Sequence, residues 1–85
     1  MVMRHESVVR FTMDGRPFEL SRSQVEMALA GVDPEPVRSH AVEIAGTWYP
    51  VKQVLECATG VDRSDFISTA ARRQLKKLGF PLRHD

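Results

Sequence analysis

Four cations crowd two turns near the end of this chain: Arg72, Arg73, Lys76 and Lys77. Spaced at one, three and four residues, they share one arc of a helix and reinforce one another's field. Such a stripe neutralises a row of anionic groups, and arginine can in addition bind guanine edges in bidentate fashion. Ser68 and Thr69 stand at the head of the same segment, where a hydroxyl and free backbone N–H groups can donate to a phosphate. Two further cations belong to the candidate patch, Lys52 in the first turn of a preceding helix and Arg63 between the two helices. Lys52 opposes the dipole of its own helix there, which makes sense if an anion neutralises it.

The charge distribution supports the same reading. Residues 1–62 hold six Lys/Arg and nine Asp/Glu, a net charge of −3, whereas residues 63–85 hold six Lys/Arg and two Asp/Glu, a net charge of +4. An anionic partner is expected for the C-terminal third.

Other chemistries find little support. His5, His40 and His84 fall near a terminus, in a connection and in the tail, and the single cysteine, Cys57, is expected as a buried, inert thiol inside a helix. There is no zinc spacing, no His-Glu-x-x-His and no glycine-rich phosphate loop. No catalytic residue, metal or cofactor is assigned, and no small-molecule substrate is evident: a chain this small without a catalytic constellation is expected to be a binding module and not an enzyme. No apolar run reaches a membrane span. The first six residues lack the apolar core of a leader, and one cysteine suits a reducing compartment, so a cytoplasmic location is expected.

The elements that must position these residues follow from local signals. Residues 8–13 and 16–20 flank Asp14-Gly15, a strong hairpin signal, because a type I′ turn needs positive φ at both central residues. Ser21 or Ser23 caps a helix over residues 22–30 whose apolar surface comes from Val25, Met27, Ala28 and Leu29; Gly31 ends it. Prolines at 34 and 36 stiffen the connection. A second hairpin uses residues 41–45, a Gly46-Thr47 turn and Trp48-Tyr49; Pro50 then opens a helix over residues 51–58 that buries Val51, Val54, Leu55 and Ala58. At least one of the two aromatics belongs to the core. The basic helix spans residues 68–79, with Ser68 or Thr69 as cap, Ala71, Leu75 and Leu78 buried, and Gly79-Phe80-Pro81 as the stop. Phe66 and Phe80 should be buried at its two ends.

Residues 24–33 align with residues 53–62 at an offset of 29. The expected fold is therefore α+β: one small domain over residues 1–85, made of two β-hairpin-plus-helix units in tandem (residues 8–33 and 40–62), followed by a C-terminal amphipathic basic helix.

Tyr49-Pro50-Val51-Lys52-Gln53-Val54, Ala58-Thr59-Gly60, Ser64-Asp65-Phe66 and Leu75-x-x-Leu78-Gly79-Phe80 together resemble the small N-terminal module of HNH-type, modification-dependent restriction endonucleases. The resemblance covers about residues 42–80. It departs from that pattern where Ile67-Ser68-Thr69 replaces a glycine-rich turn, and the chain has no HNH motif, so no nuclease activity is implied. What the resemblance implies is a DNA-associated recognition module. The function expected is a small nucleic-acid-binding protein for duplex DNA, a bacterial regulator candidate in which a homodimer would double the patch. The alternative is a cytoplasmic adaptor whose basic helix docks on an acidic protein.

Overall fold

The computed structural model describes residues 7–84. His5 and the rest of the first six residues, read above for the absence of a leader, lie outside the described residues, as does Asp85.

The first hairpin pairs β1 (Val8–Met13) with β2 (Arg16–Ser21) in antiparallel register, Val9 opposite Leu20 and Phe11 opposite Phe18. Asp14 and Gly15 both take positive φ, 54° and 70°, as the type I′ turn requires. Strand β2 runs directly into α1 (Arg22–Leu29) through a capping box. The Ser21 hydroxyl accepts from the Gln24 N–H at 3.2 Å, and the Ser21 N–H donates to Gln24 Oε1 at 2.8 Å. Of the two serines expected as caps, Ser21 is the one used. Val25 and Leu29 are buried, but Met27 is 75 % exposed, because it lies on the face of α1 turned away from the core.

The second unit repeats the order. Strands β3 (His40–Ile44) and β4 (Thr47–Pro50) pair antiparallel, and α2 (Val51–Thr59) follows at once. The turn is Ala45-Gly46, not Gly46-Thr47: these two residues carry positive φ, 50° and 85°, and Thr47 is already paired with Ile44. An alanine in the left-handed region is strained, and asparagine tolerates that region better. Ala45→Asn should therefore stabilise the protein by about 1 kcal/mol in urea unfolding. An unchanged midpoint would mean that the turn relaxes without strain. Pro50 stands just outside α2 as its N-cap, with φ −59°.

A short 3-10 turn (Arg63–Asp65) leads to α3 (Ser68–Lys77). The expected cap at Ser68 or Thr69 does not form. Ile67 holds the N-cap position without a side-chain hydrogen bond, and Ser68 is already the first helical residue. The C-terminus closes as a Schellman motif. Gly79, at φ +87°, donates its N–H to Lys76 O at 2.9 Å, and the Phe80 N–H donates to Leu75 O at 3.3 Å.

Beyond Pro81 the chain forms a strand that the sequence reading did not anticipate. Strand β5 (Leu82–His84) pairs antiparallel with β3, giving a three-stranded sheet of order β4-β3-β5 beside the two-stranded β1-β2 sheet. His84, read as tail, is thus a strand residue opposite His40. The fold is a small α+β domain with two sheets and three helices. Helix α2 packs on α1, α3, β3 and β4, and α3 also reaches β1 and β3, so the helices join the two sheets over one core. That core includes Val25, Val42, Ile44, Val54, Leu55, Leu75 and Leu78, with Phe66 and Phe80 buried as expected.

Candidate functional site

The candidate residues are brought to two neighbouring surfaces. The first is the outer face of α3. Ala71 and Leu75 turn inward, and Leu78 just beyond the helix is buried with them, so Arg73, Lys76 and Lys77 are left exposed and Arg72 half-buried. Among the described residues the side chains of these four form no ion pair and no hydrogen bond. Thr69, Arg72, Arg73 and Lys76 line a shallow hollow of about 230 Å³ against Leu82 of β5.

The second surface collects Lys52, Arg63 and Ser68, and here two of the expected contacts are already engaged. Arg63 spans two carboxylates. Its Nη1 and Nη2 donate to Glu35 at 2.6 and 2.9 Å, and its Nη2 and Nε donate to Glu56 Oε1 at 2.9 and 3.3 Å. The Arg63 backbone N–H adds a bond to Glu56 Oε2 at 2.9 Å. The positive charge of Arg63 is thus matched within the fold, and its work is to tie the 30–39 connection to the end of α2. Lys52 points the same way: Nζ donates to Arg63 O at 3.2 Å and lies 5.7 Å from the centre of the Phe66 ring. The first-turn lysine is therefore held by a carbonyl and an aromatic face.

Gln53 is the organising residue that sequence reasoning missed. It is only 4 % exposed, and its amide accepts from the Glu35 N–H and donates to Asp33 O, both at 2.9 Å. This fixes the stretch that carries Glu35. The signal was present, since a glutamine between Lys52 and Val54 at a buried helical position must satisfy its amide. Tyr49 does similar work: it is buried, and its hydroxyl donates to Val32 O at 3.0 Å. Trp48 is half-buried, with the Arg83 guanidinium 4.6 Å from its ring centre.

The Arg63 bridge makes stability depend on pH. Hydrogen bonds from Arg63 hold the Glu35 and Glu56 carboxyls below the ordinary value of 4.5. A depressed folded-state pKa gives stability that is complete above the unfolded value and is lost as pH falls through the folded one. The thermal midpoint should accordingly fall below pH 4.5. Arg63→Met should lower it at neutral pH and meet the wild type in acid. Parallel curves for the two proteins would show that the bridge contributes nothing.

His40 adds an earlier step. Its ring lies 4.5 Å from that of His84, and burial, then Arg72, then His84 hold it below the ordinary 6.5, so some stability is lost as pH falls below that value. Cys57, expected to be buried, is exposed on α2, because its helical position faces away from the core residues Val54 and Leu55; partial burial of the sulfur and the neighbouring Glu56 and Glu35 raise its pKa.

Fold and surface together define a class: a small α+β module presenting one unpaired basic helix. Within it, the chain belongs to the SCO5918-like family, whose family model matches residues 9–85. No curated protein and no solved structure matches the chain. No helix among the described residues is long and apolar enough to cross a membrane.

Proposed function

We propose that this protein is a small nucleic-acid-binding module that receives duplex DNA along the outer face of α3. The observation that carries this reading is the contrast between cations. Arg10, Arg16 and Arg63 are matched by Glu19, Asp14 and the Glu35–Glu56 pair, whereas Arg72, Arg73, Lys76 and Lys77 stand together without a carboxylate partner among the described residues. An uncompensated stripe of this kind is a phosphate-contacting surface. The open N-terminus of α3, with Ser68 and Thr69, would add N–H and hydroxyl donors at one end. The resemblance of residues 42–80 to the recognition module of HNH-type endonucleases supports the same partner. So does the tandem arrangement, which makes α3 an addition to two similar hairpin–helix units, each ended by a left-handed glycine, Gly31 and Gly60. The lone cysteine suits a cytoplasmic protein, and a two-fold dimer would double the stripe.

The test is titration of a fluorescent duplex at low salt with the wild-type protein and with the Arg72→Ala, Arg73→Ala, Lys76→Ala, Lys77→Ala variant. Binding by the first and none by the second is expected; equal affinity would sink the assignment. A second reading, docking on an acidic protein, is favoured by Ile67, which is 66 % exposed at the head of the same helix and could anchor a partner. Partners retained in a pull-down after nuclease treatment would favour that reading.

A further inference from the structure

A second hollow, of about 310 Å³, lies around the N-terminus of α3 from the basic stripe. It opens between the 35–39 segment, the start of α2 and the start of α3, and Arg38, Ser39, Lys52 and Ser68 line it. Its lining is rich in donors. Arg38 is exposed and has no ion pair among the described residues, Ser39 and Ser68 offer hydroxyls, and Lys52 brings an ammonium. The carboxylate in the wall, Glu35, has both oxygens bonded to Arg63 and so does not oppose an anion at full charge. Two helices also begin on this hollow without a side-chain cap, α2 after Pro50 and α3 after Ile67, which adds unpaired amides to the donor set. The volume is at the low end of the ~300–1,000 Å³ of ligand pockets and suits a small group.

The geometry points to a phosphate-binding site: the hollow takes the tetrahedral oxyanion of a phosphate group, held by Arg38 and Lys52 with Ser39 and Ser68 as hydroxyl donors. Ser68 lines this hollow and Thr69 the one on the basic face, so the two surfaces adjoin at the head of α3. The proposal rests on the nucleic-acid reading only for the source of the phosphate, which is either a phosphate of DNA or free inorganic phosphate.

The experiment follows the backbone amides of the isotope-labelled full chain by NMR during addition of inorganic phosphate, with chloride at matched ionic strength as control. Saturable shifts are expected at Ser39, Lys52, Ser68 and Thr69 with phosphate alone. In Arg38→Gln, whose side chain is exposed and whose fold the same spectrum verifies, affinity should fall roughly tenfold, the loss of one charged hydrogen bond. In Arg10→Gln, on the first hairpin and outside both hollows, it should be unchanged. Short duplexes with a 5′-phosphate or a 5′-hydroxyl end then identify the source. Shifts from the phosphorylated end only assign a terminal phosphate, and equal shifts from both assign the backbone. Shifts from inorganic phosphate without any from DNA keep the site while the nucleic-acid reading fails. No saturable phosphate shift, or shifts undiminished in Arg38→Gln, would overturn the proposal.

Discussion

Phe80→Ala is expected to lower the unfolding free energy by about 3–5 kcal/mol, the cost of removing a large buried aromatic side chain from a packed core. Phe80 is 4 % exposed and joins Leu75 and Leu78 in the core, so its truncation leaves a void that neighbours close only in part. Three further contacts gather around it. Its N–H closes the Schellman motif on Leu75 O, where α3 stops. The Arg22 guanidinium lies 4.3 Å from its ring centre while Nη1 donates to Leu78 O at 3.1 Å, so a cation from α1 both stacks on Phe80 and caps the negative end of α3. The next residue, Pro81, accepts from the Glu43 N–H at 3.0 Å and starts the approach of β5 to β3. Folded domains have only about 5–15 kcal/mol in total, and 85 residues place this one toward the lower end. The variant should therefore be largely unfolded at physiological temperature, as read by urea or thermal denaturation. Phe66→Ala, at 6 % exposure beneath Lys52, should fall in the same range. A loss under about 1 kcal/mol in both variants is incompatible with helix ends clamped by these rings.

The second large effect follows from the proposed DNA binding and lies in its salt dependence. Each phosphate neutralised releases counterions and adds about 0.9 to the slope of log K against log salt, so four α3 cations give a slope near −3.6. Affinity should then drop roughly a hundredfold between ~50 and ~200 mM salt. Replacing Arg72, Arg73, Lys76 and Lys77 with alanine should remove both the slope and most of the binding. Arg63→Gln is the informative control. Its guanidinium is already occupied by Glu35 and Glu56, so its loss should leave the slope unchanged in protein verified as folded. A slope that flattens with Arg63→Gln and survives the α3 substitutions would move the proposed nucleic-acid surface to the other side of the helix N-terminus.

Much of this protein is written locally. Asp14-Gly15 signals its hairpin because few residue pairs accept two positive φ values, and Gly79-Phe80-Pro81 signals the end of α3 for the same backbone reason. The inward set Ala71, Leu75 and Leu78 and the outward stripe Arg72, Arg73, Lys76 and Lys77 follow from 3.6 residues per turn. Other features have weak or ambiguous local signals. Strand β5 is three residues long, too short for a period, and exists because β3 has a free edge. Gly46 fits either of two turns, and only the pairing of Thr47 with Ile44 decides for Ala45-Gly46. Ser68 and Thr69 have the right chemistry for a cap but sit inside the helix, because the chain turns at Ile67.

The sequence by itself therefore determined the two hairpins, the three helices, the inward and outward faces of α3 and the concentration of positive charge on it, since all of these depend on neighbours within a turn or two. Which of those charges is available was decided only by tertiary structure. Arg63 and Glu35 are 28 residues apart, and Arg22 and Leu78 are 56 apart. Whether a guanidinium meets a carboxylate, a helix end or open solvent depends on how distant segments pack. That packing matched Arg63 within the fold, set Arg22 on Phe80, and left the four cations of α3 facing outward.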